Sequence, residues 1–598
     1  MALEIITNNG YKYIRIVENK YVVVNGNPSC RKKVLFNVGP VSKFDDGKPD
    51  FIKRLKDSFK NGNPLIPSLY PYVEKKPVKE VYDISFKEGD PDCIGHNKLF
   101  ANALLERIME EIGITSFIGK YKAQTNYEFD LMGFVRLLIY GRILNPLNPA
   151  SKIATVNQNN NYYSDVLKDV YEYNVYDTLS FLYDYKDKLI NWINNRLISK
   201  FNRTTNVIYY DVTNFFFEIE EPDEEENDLR KMGVSKEHRK QPIVQMGLFM
   251  DEQGVPISIE TFSGNTLDHL TLKNALNKSI NNLNLDRFIL VGDRGMYRGD
   301  NSYYLTNMNN GYIISKSIEK TSKDEKEWIY NQEGYTVVSK DFKYKSRVIK
   351  RKVKVKDELK DITEKVVVYF SKKFYDKQMH ENKSFLEFID KLEKNPENFR
   401  ITKSQSSSLR KFLKKELIND KTGEILNSKD LKPLLDMDKI NKYKESFGYY
   451  QIVTSELDMD DQKIIDTYHG LSRIEDQFRV MKSDLETRPM YVRTKEHINS
   501  HILICLLSLI IIRIIQNKVV SFSNPKVENK WAMGLSGSRI QKALNKWTVS
   551  EIANGYYRFN DIDDLDLKLI LDSFDITIPL KLFRKMELHN IKTSIKVI

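Results

Sequence analysis

The sequence has few cysteines, no secretory leader and no apolar run long enough to cross a bilayer. Its three cysteines, Cys30, Cys93 and Cys505, are far apart and form no CxxC pair, which argues against a disulfide framework or a zinc knuckle. The most apolar stretch, 502–512, is short and ends at Arg513, so it predicts a buried core helix. We therefore expect a cytoplasmic protein with no membrane partner.

The excess of positive over negative charge in the sequence is also small. The chain holds 93 lysines and arginines against 82 aspartates and glutamates, a formal net charge of +11, which is compatible with an anionic partner without requiring one. At 598 residues the chain is too long for one core, and its length predicts roughly three to five domains. Hydrophobic residues at 41% and charged residues at 29% indicate a soluble globular protein.

The first third of the chain changes from a β pattern to a helical one. Residues 11–37 alternate apolar and polar side chains around Asn25-Gly26, which predicts a hairpin in a small β module. From Asn97, taken as a helix N-cap, apolar residues recur at the helical period to about residue 200, with Gly113 as one helix stop. This region predicts a helical domain.

The middle of the chain has the pattern of a mixed sheet. Short structured runs follow one another at 206–218, 243–251, 255–262, 269–283 and 287–295. Their composition and periodicity predict the order strand, strand, strand, helix, strand. A long, charged, β-leaning stretch follows, from about 320 to 445.

Two aspartates occupy matching positions in that unit. We place Asp211 at the end of its first strand and Asp293 at the end of its fourth, each after apolar sequence. If these strands are neighbours in the sheet, the two carboxylates are close together. A buried carboxylate is costly unless it is paired or bound to metal. Each aspartate could merely cap a strand or turn, but the matched pair favours a shared metal site.

A third carboxylate, Glu475, lies on a predicted helix at 468–486. The apolar residues of this helix repeat at intervals of three and four and form a core-facing stripe: Leu471, Ile474, Phe478, Met481 and Leu485. A polar stripe runs beside it: Tyr468, Ser472, Glu475, Arg479 and Lys482. Glu475 and Arg479 could form only a surface ion pair, but the adjacent apolar stripe puts Glu475 at the edge of the buried interface.

Two aspartates and a glutamate have a specific chemical use. Their oxygen ligands suit Mg²⁺, which keeps several waters and takes further ligands from phosphate. Two such ions about 4 Å apart activate a water or hydroxyl and stabilise the leaving oxygen of a phosphodiester displacement. The sequence therefore predicts two Mg²⁺ ions, for which Mn²⁺ can substitute, held by Asp211, Asp293 and Glu475. The basic residues nearby are expected to neutralise a nucleic-acid backbone.

Four blocks of the sequence carry a family resemblance. "YYDVTNFFFE", "GVPISIETFSGNT", "VGDRGMY" and "YHGLSRIEDQFRVMKSDLETRPMYV" together resemble DDE transposases of the insertion-sequence-four superfamily. The match is nearest to its subgroup with a long N-terminal region and a β insertion before the last carboxylate. The resemblance covers about 205–515 and extends more weakly to the N-terminal modules. Any one block is weak evidence, and four in the right order are strong.

The resemblance assigns catalytic roles to the three carboxylates. Asp211, Asp293 and Glu475 match the two aspartates and the glutamate of the family triad. They are separated along the chain by 82 and then 182 residues. The long second gap is similar to the gap that the family's β insertion produces.

The resemblance also implies DNA contacts around Glu475. Tyr468, Glu475 and Lys482 match three positions of the family's Tyr-Arg-Glu-Lys signature, in which Tyr and Lys are implied to hold phosphates near the cleaved end. The position of the family Arg is Leu471 here. We expect its DNA contact to be taken over by one of three residues: His469, Arg473 or Arg479.

Further DNA contacts are expected in and near the β insertion. The run 343–356 holds eight lysines or arginines, which could follow a DNA backbone or form the solvated face of an edge strand. The candidate contacts here are Lys350, Arg351 and Lys352 and, beside the second aspartate, Arg294. Trp328 could stack on an unpaired base or could simply be a packed surface tryptophan.

The patterns and the resemblance together predict a multidomain α/β protein with an RNase H-like core interrupted by a β-rich insertion. The expected regions are an N-terminal β module (1–90), a helical, DNA-binding domain (91–203), the first part of the core (204–319), the insertion (320–445), the second part of the core with the Glu475 helix (446–520) and a helical C-terminal region (521–598).

The resemblance implies a transposase that binds the terminal inverted repeats of its own insertion sequence and joins the cut ends to target DNA. It implies a cut-and-paste route, a homodimer in the end-paired complex and a place in the bacterial cytoplasm, associated with the nucleoid; a hairpinned intermediate stays open. Two alternatives also stay open: a catalytically silent DNA-binding protein, and an RNase H-like nuclease that does not join strands. His497 and His501 lack the HExxH pattern, so we expect them to make ordinary polar contacts.

Overall fold

The computed structural model divides the chain into two compact units. The first consists of Met1–Asp286 and Ser472–Ile598, and the second, Arg287–Leu471, is an insertion within it along the chain. The residues described are 2–8, 10–24, 27–60, 64–73, 97–144, 151–163, 166–219, 221–225, 228–235, 240–280, 283, 285, 287–394, 412, 436–488, 490–523, 534–552, 555–579 and 581–598. The prediction of a multidomain protein that mixes helices and sheets is confirmed.

The first unit begins with a three-stranded antiparallel sheet. Its strands are β1 (Ala2–Asn8), β2 (Tyr11–Val24) and β3 (Asn27–Pro40), and helix α1 (Phe51–Lys60) follows. The sheet and the segment after it share a small core that includes Ile14, Ile16, Leu55, Phe59 and Leu69. The predicted turn pair Asn25-Gly26 lies outside the described residues.

A group of helices follows a two-residue strand. The elements are β4 (Lys98–Leu99), α2 (Asn102–Glu111), α3 (Ile114–Lys122), α4 (Leu131–Ile143), α5 (Lys152–Asn157), α6 (Glu172–Asp184) and α7 (Lys186–Phe201). Gly113 separates α2 from α3 with a φ of +88°, a left-handed conformation that favours glycine, so the predicted helix stop is confirmed. The prediction of an N-cap at Asn97 is wrong, because the next two residues pair with Thr548 and Val549 in a sheet.

Three long antiparallel strands come next in the first unit. They are β5 (Val207–Phe216), β6 (Ile243–Asp251) and β7 (Pro256–Ser263), followed by α8 (Asp268–Ala275). Side chains on both faces of β5 and β6 are buried almost throughout, which explains their continuous apolar sequence. With the strand that follows α8, the chain has the predicted order of strand, strand, strand, helix, strand.

The second unit is built on its own strands. They are β8 (Ile289–Gly292), β9 (Gly311–Ser315), β10 (Thr336–Ser339), β11 (Phe342–Val355), β12 (Glu358–Ser371) and β13 (Tyr449–Thr454). Within this unit they lie in the order β10-β11-β12-β13-β9-β8, and only the β8–β9 pair is parallel. The helices of this unit are α9 (Gly299–Asn307), α10 (Lys323–Tyr330), α11 (Lys372–Glu381), α12 (Lys383–Lys394), α13 (Met437–Glu445) and α14 (Asp461–His469).

The region 320–445 is less β-rich than predicted. Its strands lie between residues 336 and 371, whereas 372–394 and 437–445 are helical. The helical part carries oppositely charged pairs four residues apart, such as Lys377–Glu381. Such pairs stabilise helices, but the sequence prediction treated these residues only as a charged stretch. Residues 395–411 and 413–435 lie outside the described part of the chain.

The remainder of the first unit surrounds one long apolar helix. Its elements are α15 (Ser472–Arg479), a π-helical turn (Val480–Asp484), α16 (Lys495–Ser523), α17 (Gly537–Leu544), β14 (Thr548–Ile552), β15 (Tyr556–Phe559), α18 (Leu565–Ser573), β16 (Phe583–Arg584) and α19 (Lys585–Ser594). Among the described residues, α16 is the one helix long and apolar enough to cross a membrane, but its apolar window is fully buried in the fold. It packs against α4 and α6, so the predicted core helix is confirmed. The C-terminal region is not only helical as predicted, because β14, β15 and β16 form a sheet with β4.

Candidate active site

Asp211 lies in the middle of β5 and not at its end as predicted. The strand continues to Phe216 because aromatic and branched residues follow the aspartate without a break. The side chain is half-buried, and its Oδ1 accepts a hydrogen bond from the amide of Val212 at 2.7 Å. Since strand side chains alternate between two faces, Asp211 shares its face with Tyr209 and Phe215.

The opposite face of β5 is covered by α8. The Tyr210 hydroxyl donates to Thr271 Oγ1 of that helix at 2.8 Å. Gly247 on β6 makes room for this side chain, since a Cβ there would come within 2.4 Å of the Tyr210 hydroxyl. Burial raises the pKa of Tyr210, so the hydroxyl keeps its proton and remains a donor. Asp211 is therefore directed away from α8.

The helix predicted at 468–486 is broken in the structure. Helix α14 ends at His469, a turn follows at Gly470 and Leu471, and α15 begins at Ser472. Glycine is a poor helix former, and here it stands where the two compact units meet along the chain. Residues 468–471 of the predicted helix thus belong to the second unit, and residues 472–486 belong to the first.

Helix α15 packs against β5 within the first unit. At one end of the contact, burial raises the pKa of the Tyr209 hydroxyl to about 12, and the nearby Arg473 acts in the opposite direction. At the other end, Lys482 Nζ lies 5.8 Å from the centroid of the Phe215 ring. The helical segment from Arg473 to Lys482 thus lies near β5.

These contacts place two of the three predicted carboxylates on one side of β5. Asp211 lies between the two strand residues of the contacts, and Glu475 lies between the two helix residues. The face of β5 that carries Asp211 is the face on which the Glu475 helix lies. Both carboxylates belong to one compact unit, and their shared role stays a prediction.

Glu475 does not form the surface pair that was its alternative role. Arg479 donates instead to Asp476 Oδ1, from Nε at 2.9 Å and from Nη2 at 2.6 Å, and lies 3.7 Å from Asp484. The Glu475 side chain is exposed and has no hydrogen bond or ion pair to any described residue. The Glu475 carboxylate is thus available to a ligand.

Two residues next to Glu475 fix its helix to the interior. Gln477 is fully buried and donates from Nε2 to the carbonyl of Gly254 at 3.0 Å. Its Oε1 accepts from Arg513 Nε at 2.7 Å, and Arg513 Nη2 donates to Asp476 at 3.1 Å. Burial lowers the pKa of Arg513 to about 10. The roles of Gln477 and Arg513 were not predicted from the sequence, although a charged residue inside the apolar stretch of α16 needs a buried partner.

The turn that receives this helix is itself held by a buried ion pair. Arg473 donates to the carbonyl of Glu252 in the turn between β6 and β7. Asp251 Oδ1 accepts from the amide of Val255 at 2.8 Å, and its Oδ2 accepts from Arg203 Nε at 2.6 Å. Because the Arg203 and Asp251 side chains are almost fully buried, the carbonyl groups that bind the Glu475 helix are fixed in place.

Asp293 lies in the second unit, directly after β8, at the strand end predicted for it. It caps the short turn Arg294–Met296, and its Oδ1 accepts from the amide of Gly295 at 2.8 Å. Its side chain is half-buried and the neighbouring Arg294 is exposed. The predicted capping role is therefore present, and it leaves the second carboxylate oxygen outside that bond.

Tyr468 and His469 lie against aromatic residues of the second unit. His469 Nε2 is 3.1 Å from the Tyr369 hydroxyl. Burial raises the pKa of Tyr369, and the neighbouring Tyr468 adds to the effect. Both residues are thus next to β12, and their DNA contacts stay a prediction.

The predicted basic contacts on β11 point to opposite faces. Lys350 and Lys352 are exposed, and Arg351 between them points to the other face. There its Nη2 donates to Glu364 at 2.9 Å, and its guanidinium lies 5.0 Å from the centroid of the Tyr297 ring. The expected solvated strand face thus contains the two lysines but not the arginine.

The ring of Trp328 is in contact with two cations. The guanidinium carbon of Arg347 lies 4.1 Å from its centroid, and Lys345 Nζ lies 4.8 Å from it. Cations over an indole are stabilised by its ring quadrupole. Trp328 is therefore a packed tryptophan in this structure, the more ordinary of the two roles considered for it.

The chemistry of the carboxylates suits a magnesium ion. Among the residues that the structure describes, no three histidine, cysteine, aspartate or glutamate side chains lie close enough to form a metal site by themselves. Mg²⁺ commonly takes one or two carboxylates and completes its shell with water and phosphate. Asp211 and Glu475 lie on two elements of the first unit that pack together, and their role as a metal-binding pair stays a prediction.

The central part of the chain is similar to a known protein family. Residues 216–511 match the family model of the transposase DDE domain. This match supports transposase function for the chain. It includes Asp293 and Glu475 and begins five residues after Asp211. No curated protein matches the sequence.

A search of solved structures finds a similarity to the cryo-EM structure of the piggyBac transposase synaptic complex with hairpin DNA. The sequence identity is 9%, the match covers 77% of this chain and 75% of that chain, and the TM-score is 0.33. At this TM-score the similarity carries no argument about fold or site.

Proposed function

We propose that this protein is the DDE transposase of an insertion sequence. It binds the terminal inverted repeats of its own element, cleaves DNA strands at their ends and transfers the freed ends to target DNA by a cut-and-paste route. The match to the transposase DDE domain supports the class. The observation that carries the site is the position of Glu475, exposed and on the Asp211 face of β5.

In this proposal Asp211, Asp293 and Glu475 are the catalytic triad of an RNase H-like core. The order of three strands, a helix and a strand supports that core. Asp211, Asp293 and Glu475 would hold a divalent metal, which would supply activation of the attacking water or 3′-hydroxyl and stabilisation of the leaving oxygen. Mn²⁺ would be able to replace Mg²⁺ in this role. The buried supports of α15 keep the Glu475 carboxylate oriented before DNA arrives.

DNA is held by basic side chains around these residues. Lys482 and Arg473 flank Glu475 along the same segment, and each is placed by its contact with the strand. Lys350 and Lys352 offer two exposed ammonium groups on one face of β11, about 7 Å apart along the strand. Among the described residues neither makes an ion pair. Such groups neutralise phosphates without reading sequence.

The wider family features support two more proposals. The insertion between Asp293 and Glu475, together with the long N-terminal region, supports the subgroup of the insertion-sequence-four superfamily named above. We also propose that the protein acts as a homodimer when two element ends are paired, and that a helical domain at 91–203 takes part in binding them.

The test is a cleavage assay on duplex DNA that carries the repeat found just outside this gene. Wild type is compared in Mg²⁺ with Glu475→Gln, Asp211→Asn and Asp293→Asn. Asp438→Asn is the matched control, because Asp438 is also exposed in the first turn of a helix. We expect wild type and the control to nick at the repeat boundary and the three site variants to bind without nicking.

Other outcomes separate the alternatives. Nicking without joining to a supercoiled target identifies a nuclease of similar fold. Binding without nicking by wild type identifies a silent DNA-binding protein. Cleavage retained in any one site variant removes that residue from the triad.

A further inference from the structure

Glu364 is a buried carboxylate at the centre of a hydrogen-bond network in the second unit. It lies within β12 and is 0% exposed. Arg351 of β11 donates to both of its oxygens, from Nε to Oε2 and from Nη2 to Oε1 at 2.9 Å. The hydroxyl groups of Tyr297 and Tyr312 donate to it at 3.2 and 2.5 Å. Four donors thus converge on one side chain.

Burying the Glu364 carboxylate requires this network of donors. A carboxylate removed from water is costly unless it is paired and its oxygens are satisfied. Bidentate arginine supplies the charge in a fixed geometry. Burial, and then the charge of Glu364, raise the pKa of Tyr297 and of Tyr312, so both hydroxyls keep their protons and donate. Glu364 is therefore fully engaged, which no part of the proposed cleavage chemistry explains.

Tyr297 connects this network to the loop of Asp293. It follows the short turn that Asp293 caps, four residues along the chain. The same loop is fixed at Met296, whose carbonyl accepts from Asn301 Nδ2 at 3.1 Å. Beyond it, Gly299 lies directly against β11, since a Cβ there would come within 2.6 Å of Val353 Cβ. The loop that bears Asp293 is thus fastened to the β11–β12 hairpin.

We propose that Glu364 is a positioning residue that fixes the Asp293 carboxylate by holding Tyr297. This inference rests on the proposed function, because the position of Asp293 matters for catalysis only if Asp293 is catalytic. It gives the inserted hairpin a second task besides DNA contact, which is to hold a catalytic loop of the core in place. Arg351 then serves the loop through Glu364 and does not contact DNA.

The experiment measures the loop directly and the reaction separately. Hydrogen–deuterium exchange of residues 294–298 and the rate of strand cleavage are compared in wild type, Tyr297→Phe and Glu364→Gln. Asp361→Asn is the matched control, because Asp361 is an exposed carboxylate on the same strand. Tyr297→Phe removes one hydroxyl and leaves the Arg351–Glu364 pair intact, so it folds even if Glu364→Gln does not.

We expect both variants to raise exchange in the loop about tenfold, the effect of one lost hydrogen bond on local opening. We expect cleavage to slow about tenfold as well, with end-binding affinity within about twofold of wild type and the control unchanged. Slower cleavage at unchanged DNA affinity separates positioning from a general structural role.

Three results would decide differently. Unchanged exchange in Tyr297→Phe overturns the positioning role, whatever the activity of wild type. Faster exchange with wild-type cleavage rates also overturns it, since the loop then does not need the support. Faster exchange in a protein whose wild type never cleaves DNA overturns the proposed function and supports Glu364 as the anchor of the loop.

Discussion

Gln477 and Arg513 form a buried hydrogen bond of 2.7 Å two residues beyond Glu475. The bond joins the Glu475 helix to the core helix α16, and the other end of the Gln477 amide reaches the Gly254 carbonyl. Arg513 is 1% exposed, so its guanidinium depends on Gln477, Asp476 and Gln516 for the partners that water would otherwise provide. The stability of the first unit is therefore expected to depend strongly on the Gln477 side chain.

Replacing Gln477 by alanine should destabilise the protein strongly. The substitution removes the bond that Gln477 accepts from the buried Nε of Arg513 and the one that it donates to the Gly254 carbonyl, at a cost of about 2–4 kcal/mol. Urea unfolding measures the difference. Gln462→Ala is the control, because Gln462 makes only an exposed contact with Asp466 on α14, and it should change stability by less than about 0.5 kcal/mol. Equal effects of the two variants on stability would contradict a stabilising role for the Gln477–Arg513 hydrogen bond.

Lys482→Ala should weaken binding to the element ends and reduce its dependence on salt. One lost phosphate contact lowers the slope of log affinity against log salt by about 0.9, and metal binding should not change. Filter binding or fluorescence anisotropy over a range of salt concentrations measures the slope. Lys463→Ala, at an exposed position on α14, is the control. A wild-type slope in Lys482→Ala would exclude the phosphate contact.

Neighbouring residues of β11 should behave differently when replaced. The double variant Lys350→Ala/Lys352→Ala should lower the salt slope by about 1.8 while leaving the free energy of unfolding unchanged, because both side chains are exposed. Arg351→Ala should instead cost about 3 kcal/mol of stability, since it leaves the Glu364 charge buried without its cation. Anisotropy and urea unfolding on the same samples compare them. If only Arg351→Ala lowered the salt slope of DNA binding, Arg351 and not the two lysines would be the DNA contact.

The stability of the first unit should fall on mild acidification because of His501. Its Nε2 lies 2.9 Å from the Thr487 carbonyl and its Nδ1 lies 2.8 Å from Lys152 Nζ, so the ring is neutral, with the proton on Nε2. Burial, then the charges of Lys152 and Arg142, lower its pKa well below the usual value. Below the unfolded-state pKa of about 6.5 the unfolded chain binds a proton that the folded chain does not, so stability is lost at up to about 1.4 kcal/mol per pH unit.

The measurement is urea unfolding at pH 7.5 and 5.5. His501→Asn should flatten the dependence between these values relative to wild type. His497→Asn is the control on the same helix, where His497 stacks on Tyr176. If His501→Asn keeps the full wild-type loss of stability, another group is responsible.

The elements that the sequence predicted correctly are those whose signal is local. Asp293 follows a short apolar strand, and α16 is a long apolar stretch. The pattern of residues close together in sequence is therefore enough to predict both. The break at Gly470 was missed because the apolar repeat continues through it, and only the division into two units shows that it falls at a boundary.

The supporting residues of the site were not predictable in the same way. Alternation along β11 shows that Arg351 faces away from Lys350, but not which face has a buried partner, and Glu364 lies thirteen residues away. Gln477 finds Arg513 across thirty-six residues. Such pairs depend on tertiary packing, and no local pattern in a single sequence contains that information.

The second unit is inserted in the first between Asp286 and Ser472, and this has a consequence during synthesis. A ribosome that adds about 5–20 residues per second completes Asp211 long before it reaches Glu475, 264 residues later. Until then β5 has no α15 to pack against, and the first unit lacks its core helix. If the proposed triad is the catalytic one, a nascent chain cannot cleave DNA before Glu475 and its supporting helix α16 have been synthesised.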